Sequence, residues 1–378
     1  MGKESLASAK SAKNDEFYTL FEDIQREMNA YIEYEPDVFR GKTILLPCDD
    51  PEWSNFTRYF AQSFEQLGIK KLISTSYAPE SKSDDLFQEP TIFESQSPNF
   101  DPVKAMYNGK IFTLTRDKTK DGVINFDDLE WDYLEGDGDF RSPEITALRD
   151  EADFVITNPP FSLFREFLDW IIEGEKKFSM IGNKNAITYK EAFPLIRHNK
   201  MWLGSTPMSV DLMFRVPASM VDRLKASGKE GSAWRMVDGE VLGRASAVWF
   251  TNIEHGRRHE PLPLMTESDN FKFSKHKEIK GKGYLKYDNF DAIEVPYTDA
   301  IPSDFPGVMG VPISFLSKYN PDQFELLGFW NTGKAGDEIG ASQTEAISAG
   351  KAISWNGPTV NGETKYFRIL IQHKRASR

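Results

Sequence analysis

The spacing of apolar residues near the N-terminus predicts a helix, a buried strand, a second helix and a second strand, in that order. The first helix is predicted from Phe17 to Met28 and the second from Phe56 to Leu67, where Gly68 ends it. The short apolar runs at residues 42–46 and 71–75 are the predicted strands. A strand, a helix and a second strand in succession predict a parallel β-α-β unit with the crossover helix packed on the sheet.

The alternation of strands and helices resumes after an excursion of charged and polar sequence. Within the excursion, residues 110–114 and 123–126 are candidate hairpin strands around a charged turn. Further elements are predicted beyond it, namely strands at 153–157, 178–181, 202–203, 212–216 and 247–250 and helices at 161–172 and 189–196. The sequence therefore predicts an α/β fold.

The domain organisation is predicted from length and from a change in composition. A chain of 378 residues is long enough for a core domain and a second lobe. Residues 1–13 are small, polar and dotted with lysine, so we expect a disordered arm. Near residue 255 the sequence becomes rich in proline and loses its long helical periods. We therefore predict a core at residues 14–254 and a second lobe at residues 255–378.

Composition favours a soluble cytoplasmic protein. Hydrophobic residues make up 39% of the chain and charged residues 28%, and the mean hydropathy is −0.50. No apolar run approaches the roughly 20 residues of a membrane helix, and the N-terminus lacks the apolar stretch of a secretory signal. The single cysteine, Cys48, excludes an internal disulfide and a cysteine-based zinc cluster. A reducing cytoplasm fits best, and we expect neither a membrane nor a metal.

The distribution of charge matters more than its sum. The net charge of −12 opposes nucleic-acid binding, because phosphate contacts need Lys and Arg. Residues 1–150 carry −13, however, which leaves +1 for residues 151–378. Six lysines and one glutamate give residues 272–286 a local charge of +5. This stretch is typical either of a basic surface that binds a duplex or of a solvated lysine-rich loop.

The segment Asn158-Pro159-Pro160-Phe161 follows a predicted strand and precedes a predicted helix. Ligands of open α/β sheets bind outside the carboxyl ends of the strands, which is where this segment lies. The Asn158 side-chain oxygen and the Pro159 carbonyl could accept both hydrogens of an adenine amine and favour its nucleophilic form. Phe161 could stack on a base swung out of its duplex. The alternative is an ordinary helix start, with an Asn cap and proline in the first turn.

Four further segments accompany this motif. They are Asn14-Asp15-Glu16-Phe17-Tyr18-Thr19, Cys48-Asp49-Asp50-Pro51, Gly136-Asp137-Gly138-Asp139-Phe140-Arg141-Ser142 and Gly182-Asn183-Lys184-Asn185-Ala186-Ile187-Thr188-Tyr189-Lys190. Together with the motif, they resemble the EcoRI-type adenine-specific DNA methyltransferase family, and a weaker similarity continues at residues 310–321. The resemblance implies N6 methylation of a flipped adenine in duplex DNA. It also implies a Rossmann-like core that binds S-adenosylmethionine, followed by a C-terminal target-recognition region.

The resemblance implies that several residues besides Asn158 contact the cofactor, namely Tyr18, Thr19, Asp49, Asp50, Tyr77, Asp139 and Phe140. The two aspartates after the first strand would attract the ammonium group of the cofactor, and the pair at 18–19 would close over its methionine end. The pair at 139–140 would read its adenine, the aspartate by a hydrogen bond and the phenylalanine by stacking. Tyr77 would pack on the same adenine.

Each of these assignments has a plainer alternative. Residues 18–19 on a helix would by default pack in the core, Tyr77 would lie at the surface, and the turn at 136–142 would be only a turn. The sequence also departs from the family pattern, because Pro51-Glu52-Trp53 stands where glycines are usual. The second strand likewise lacks the acidic residue that commonly holds ribose hydroxyls.

Candidate DNA contacts lie after a later strand and in the second lobe, namely Asn183, Lys184, Asn185, Arg257, Arg258, Lys275, Lys277 and Lys280. The alternative for residues 183–185 is a polar loop that makes no DNA contact.

An RNA or ribosomal RNA methyltransferase is an alternative function, because a similar motif occurs in such enzymes. The second lobe of more than a hundred residues favours duplex DNA as the substrate. A catalytically inactive DNA-binding relative is a further alternative. We expect a monomer or weak dimer in a bacterial or phage-infected cell.

Residues 117–128 copy much of a calcium-binding loop. Asp117, Asp121, Gly122 and Asp128 match the spacing, but an aspartate replaces the usual bidentate glutamate and the flanking helices are missing. We therefore predict a hairpin turn rather than a metal site. The histidines show no metal-ligand spacing.

Overall fold

The computed structural model describes residues 18–49, 54–78, 99–216, 221–288, 290–330 and 358–374. The chain divides into two compact units. Unit 1 comprises Met1–Ala186 and Val210–His255, and unit 2 comprises Ile187–Ser209 and Gly256–Arg378. The division after His255 lies beside the predicted boundary, but residues 187–209, predicted as part of the core, group with unit 2. The predicted arm at 1–13 lies outside the described residues.

Strands and helices alternate along most of unit 1. The strands of the described chain are β1 (Tyr18–Thr19), β2 (Thr43–Leu46), β3 (Lys71–Ser76), β4 (Lys110–Leu114), β5 (Glu130–Tyr133), β6 (Phe154–Thr157), β7 (Lys177–Asn183), β8 (Trp202–Leu203), β9 (Leu212–Arg215), β10 (Trp234–Val237), β11 (Glu240–Ala245), β12 (Ala247–Thr251), β13 (Ala292–Glu294), β14 (Val308–Val311), β15 (Phe324–Trp330), β16 (Thr359–Val360), β17 (Glu363–Thr364) and β18 (Arg368–His373). The helices are α1 (Phe21–Tyr34), α2 (Asn55–Gln62), α3 (Phe64–Leu67), α4 (Lys104–Tyr107), α5 (Pro143–Glu151), α6 (Phe164–Glu173), α7 (Phe193–Arg197), α8 (Val221–Ser227) and α9 (Glu267–Phe273).

Seven strands of unit 1 form a mixed sheet in the order β5-β4-β3-β2-β6-β7-β12. The neighbours β3, β2, β6 and β7 are parallel, whereas β4 and β5 on one side and β12 on the other run antiparallel. Every residue of β2 and β6 is buried. Strands covered on both faces have continuous apolar sequences, which explains why the hydrophobic runs predicted them.

Two helices cover the centre of this sheet through one apolar cluster. Ile24 and Met28 of α1 and Phe56 and Phe60 of α2 belong to the same buried cluster as Ile44 of β2. Burial of a large aliphatic or aromatic side chain stabilises a fold by roughly 1.5–3 kcal/mol, so this cluster stabilises the packing of α1 and α2 on the sheet.

The predicted first helix starts later than expected, at Phe21, because residues 18–19 form strand β1 instead.

A second, antiparallel sheet of unit 1 has the order β1-β9-β11-β10. Tyr18 pairs with Arg215 and Thr19 with Phe214. The strand predicted at 123–126 is wrong: residues 123–125 form neither a strand nor a helix, a 3-10 turn begins at Phe126, and β5 is the antiparallel partner of β4. The Val123 and Asn125 N–H groups donate to the Asp121 and Asp128 carboxylates, so these backbone groups are satisfied locally and do not pair as a strand.

Unit 2 contains a four-stranded sheet in the order β13-β14-β18-β15 and the separate hairpin β16–β17. The strand β18 is antiparallel to both of its neighbours. The segment 187–209 contributes Phe193, whose ring meets that of Phe329 edge-on at 4.5 Å, which explains why it groups with this unit. Within the described ranges, no helix is long and apolar enough to cross a membrane.

Candidate active site

Four predicted site segments follow parallel strands of the main sheet. Asp49 lies just beyond β2, Tyr77 follows β3, Asn158 follows β6, and Asn183 ends β7. Because neighbouring parallel strands end at the same edge of a sheet, these residues lie along one edge. This is the edge at which open α/β sheets bind ligands.

Asp49 forms hydrogen bonds through its carboxylate, its backbone N–H and its carbonyl. It is buried, and its carboxylate accepts hydrogen bonds from the Ser54 hydroxyl at 2.8 Å and the Thr157 hydroxyl at 2.6 Å. Its backbone N–H donates to the Thr75 carbonyl at 3.0 Å, and the Ser74 hydroxyl donates to its carbonyl. The carboxylate predicted to meet a cofactor thus also joins β2 to the end of β6. Its predicted companion Asp50, and residues 51–53, lie outside the described residues.

Tyr77 is buried rather than at the surface. Its hydroxyl lies 3.8 Å from the Cys48 sulfur. Burial raises the pKa of Tyr77 well above its usual range, and Cys48 and Asp139 raise it further. The hydroxyl therefore stays protonated at neutral pH, and Tyr77 connects the end of β3 with the loop after β2 and with the turn at 136–142.

The backbone of the glycine-rich turn at 136–142 packs so closely against the end of β3 that a side chain on Gly138 would not fit. Gly138 has a φ of +87°, and a Cβ placed on it would lie 2.3 Å from the Ser76 carbonyl oxygen. The Ala78 N–H donates to the Asp137 carbonyl at 2.9 Å. Glycine is required here both for its left-handed conformation and for the close approach, which brings Asp139 to the same edge as Tyr77.

Asp139 and Phe140 are not open to a ligand in the way we predicted. The Asp139 carboxylate pairs with the Arg141 guanidinium at 2.6 Å, and Arg141 also bonds Glu166 at 2.9 Å. The Phe140 ring is fully buried and packs edge-on against Phe167 and Trp170. The stacking of this ring on a cofactor adenine stays a prediction, and in the structure Phe167 and Trp170 of α6 cover the ring.

Tyr18 and Thr19 reach the same edge from the small sheet. The Thr19 carbonyl accepts a hydrogen bond from the Asn55 side chain at 2.7 Å, and Asn55 follows Ser54. Thr19 is buried and Tyr18 is half-buried. They lie on a strand rather than on the helix we predicted, and the strand places them beside the loop that carries Asp49.

The catalytic candidate Asn158-Pro159-Pro160-Phe161 forms a tight turn into α6. The Leu163 N–H donates to the Pro160 carbonyl at 2.9 Å, and both prolines are buried. Asn158 and Phe161 are half-buried, and the Asn158 side-chain oxygen is shielded from solvent. The helix-cap alternative does not describe this segment, since the 3-10 turn that leads into α6 is capped by Pro160 and not by Asn158.

Hydrogen bonds from backbone N–H groups fix the conformation of the polar loop after β7. The Asn183 side chain accepts a hydrogen bond from the Asn185 N–H at 2.9 Å, and the Lys184 N–H donates to the Ser246 carbonyl at 2.9 Å. Asn185 is exposed, and the other two are half-buried. The loop therefore presents an exposed asparagine, while the Asn183 amide oxygen serves the turn.

The two arginines predicted to contact DNA are structural in unit 2. Arg258 is 4% exposed, lies 3.8 Å over the Trp202 ring and bonds the Asn199 side chain. Its role as a DNA contact stays a prediction, and in the structure a cation–π contact buries the guanidinium. Arg257 is half-buried and donates to the Ser205 carbonyl at 2.7 Å.

The lysines that follow α9 differ from one another in their partners. Lys275 pairs with Asp299 at 2.6 Å, and His276 bonds the same carboxylate at 2.9 Å. Lys277 and Lys280 are exposed, and no acidic side chain of the described chain pairs with them. Two of the three predicted lysines therefore present uncompensated charge.

The residues 117–128 form a turn that satisfies its own carboxylates. The Asp117 side chain accepts the Gly122 N–H at 2.9 Å, and Asp128 accepts the Lys118 and Thr119 N–H groups at 2.8 Å. Backbone hydrogen bonds from Thr119 and Asn125 lower the pKa of Asp128 to about 2. Across the described residues, no three metal-binding side chains cluster. The carboxylates thus hold the turn itself.

We therefore expect calcium to leave this turn unchanged. Adding calcium or a chelator should not shift the melting temperature of the protein, because the carboxylate oxygens already accept backbone N–H groups. Thermal unfolding over a calcium series measures this. A melting temperature that rises with calcium and saturates would identify the turn as a calcium site.

Sequence reasoning missed the hydroxyl groups that organise this edge. Ser54, Ser74 and Thr157 all bond Asp49, yet none of them is a predicted site residue. Ser54 also caps α2, by accepting from the Phe56 N–H at 3.1 Å. Buried serine and threonine in apolar runs were read as strand residues only.

Comparisons with known proteins agree on one family. Residues 5–374 match the model of the family described as adenine-specific methyltransferase EcoRI. The chain is 38% identical to the Type II methyltransferase M.EcoRI of Escherichia coli, over 98% of this chain and 96% of that protein. It is 34% identical to the Type II methyltransferase M.MpnI of Mycoplasma pneumoniae, over 97% of both. No solved structure matches significantly.

Proposed function

Since this chain belongs to the family of EcoRI adenine-specific methyltransferases, we propose that it transfers a methyl group from S-adenosylmethionine to the N6 amine of an adenine at a defined site in duplex DNA. The observation that carries this proposal is the convergence of Asp49, Tyr77, Asp139 and Asn158 on one sheet edge. The relatives are Type II methyltransferases by name, and the proposed catalytic segment 158–161 lies at this edge.

The edge fits a polar cofactor because it contains hydroxyls that lack partners. Thr19 Oγ1, Thr75 Oγ1 and Ser76 Oγ are buried without a hydrogen-bond partner in the described chain. Buried hydroxyls are nearly always bonded in proteins, so a ligand with ribose and amino-acid groups would complete them. When bound, S-adenosylmethionine supplies an electrophilic methyl group on a sulfonium. A Rossmann-like binding mode is consistent with the four parallel strands at the centre of the sheet.

The protein's contribution to the reaction would come from the turn after β6. The Asn158 side-chain oxygen and the Pro159 carbonyl would accept the two hydrogens of the adenine amine. The amine lone pair would then be free to bond the methyl carbon as the methyl–sulfur bond breaks, so that the neutral thioether leaves and solvent takes the proton released afterwards. Because the Asn158 oxygen is shielded here, its side chain must turn toward the amine on binding, as catalytic hydrogen bonds often tighten only in the complex.

Bonding both amine hydrogens requires the adenine to leave the duplex stack, because pairing with thymine engages one of them. Phe161 is half-buried and packs against the main apolar cluster of unit 1. We propose that this ring stacks on the flipped adenine. Asn185, exposed beyond β7, is a candidate contact to the strand from which the base is taken.

We propose that unit 2 carries the target-recognition surface and that Lys277 and Lys280 contact phosphates. Replacing both with glutamine should reduce the slope of log K against log salt by about two units or fewer, because each phosphate contact releases roughly one counterion. Lys275→Gln is the matched control, since its charge is already compensated by Asp299. Fluorescence anisotropy with a duplex over a salt series measures both. An unchanged slope in the double variant would place these lysines in solvent only.

The proposed reaction is tested by identifying the methylated base. The protein, labelled S-adenosylmethionine and genomic duplex DNA should yield labelled N6-methyladenine after digestion, and sequencing should place it in one sequence context. A duplex with 2-aminopurine in place of the target adenine lacks the 6-amine and should accept no label. Label on cytosine, or on RNA alone, would contradict the proposal.

A further inference from the structure

Thr157 lies directly before the catalytic candidate and is tied to a residue that is distant in sequence. It is the last residue of β6, fully buried, and its hydroxyl donates to the Asp49 carboxylate at 2.6 Å. The backbone ladder between β2 and β6 pairs Ile44 with Phe154 and Leu45 with Val155. Beyond these pairs, the side-chain bond from Thr157 to Asp49 joins the two strand ends.

Asp49 is itself fixed on its other sides. Ser54 donates to its second carboxylate oxygen, and Ser74 donates to its carbonyl. The Ser74 hydroxyl is in turn 2.9 Å from that of the buried Thr57. Asp49 is therefore a rigid anchor between β2, β3 and α2, and a hydrogen bond to a buried carboxylate is among the stronger ones in proteins.

We infer that Asp49 and Thr157 are positioning residues for Asn158, and that their hydrogen bond sets where the Asn158 acceptor meets the adenine amine. This inference rests on the proposed function. It assigns Asp49 a role beyond the cofactor contact implied by the family resemblance, since one of its carboxylate oxygens bonds the residue that precedes Asn158.

Loss of this bond should act on the chemical step rather than on binding. Without it, the end of β6 keeps its ladder to β7, where Thr157 pairs with Met180, but loses its fixed distance to Asp49. A displacement of about 1 Å at a reacting group can lower a rate on the order of 100-fold. The ground-state contacts of cofactor and DNA do not pass through the Thr157 hydroxyl, so their affinities should change little.

The test compares Thr157→Val with Thr157→Ser. Valine matches the shape of threonine and removes only the hydroxyl, so kcat should fall about tenfold or more while KM for DNA and the Kd of S-adenosylmethionine stay within about twofold. Serine keeps the hydroxyl and should restore most of kcat. Single-turnover methylation measures the chemical step, and calorimetric titration with S-adenosylmethionine alone measures cofactor affinity.

Thr251→Val is the matched control. Thr251 is fully buried on β12, where its hydroxyl donates to the Phe178 carbonyl at 2.7 Å and accepts from the Ile253 N–H at 3.0 Å. The variant therefore also replaces a buried, hydrogen-bonded hydroxyl with a methyl group, but on a strand other than β6. It should lower the melting temperature to a similar extent as Thr157→Val and leave kcat of the folded protein unchanged. This comparison separates positioning from general loss of stability.

Three outcomes would overturn the inference. Thr157→Val could retain wild-type kcat, could lose cofactor affinity at unchanged kcat, or could lose no more activity than Thr251→Val. A wild-type protein that methylates no adenine would instead overturn the proposed function. The wild-type measurement therefore distinguishes the two failures.

Discussion

Asn158→Ala should reduce methyl transfer by about a thousandfold or more, because loss of one preorganised polar group at a reacting centre typically costs 10²–10³ in kcat and this residue also aligns the amine. Affinity for S-adenosylmethionine should stay within a few fold, since the acceptor acts mainly in the transition state. Rapid-quench methylation and a cofactor titration measure the two quantities.

Asn99→Ala is a suitable control for this variant. Asn99 is exposed, belongs to the same unit and donates its side-chain amide to the Trp131 carbonyl at 2.8 Å. It should methylate like wild type. Turnover near wild type in Asn158→Ala itself would remove the segment at 158–161 from the mechanism.

Gly138→Ala should disrupt the cofactor side of the edge. The new Cβ would lie 2.3 Å from the Ser76 carbonyl oxygen, and φ of +87° is strained for alanine. Strain of this kind costs on the order of 1–3 kcal/mol, so the melting temperature should fall. The turn with Asp139 should also shift, and cofactor affinity should fall about tenfold or more, since 1.4 kcal/mol is a factor of ten.

Gly136→Ala provides the matched comparison within the same turn. Its nearest neighbour to an added Cβ is a Glu144 oxygen at 3.8 Å, and its φ lies outside the left-handed region. This variant should bind cofactor and melt like wild type. Equal cofactor affinity in the two alanine variants would show that the turn at 136–142 does not shape the binding site.

The parallel core was predictable because its strands are continuous apolar runs. β2 at 43–46 and β4 at 110–114 lie where hydrophobic patterning placed them, and the segment at 158–161 lies at the predicted strand end. Patterning reports burial: β2 and β6 are buried along their whole length, whereas β4 alternates between buried and half-buried residues. Patterning failed at 123–126, where local carboxylate hydrogen bonds rather than strand pairing satisfy the backbone.

The interactions within the site were not predictable in the same way. The bond from Thr157 to Asp49 spans 108 residues of sequence, and no local pattern encodes it. A charged residue in a loop-rich stretch is normally solvated, and no local pattern predicts that the Trp202 ring covers Arg258. Family resemblance located the turn at 136–142 but not the burial of Phe140.

Unit 2 is assembled from two separate stretches of the chain, 187–209 and 256–378. The edge-on contact of Phe193 with Phe329 and the packing of Arg258 on Trp202 both join these stretches. A protein truncated after His255 would therefore keep residues 187–209 but lose the residues of unit 2 that they pack against. Engineering that grafts the C-terminal region between relatives must exchange both stretches together, and a chimera made at a single crossover would inherit a mismatched interior.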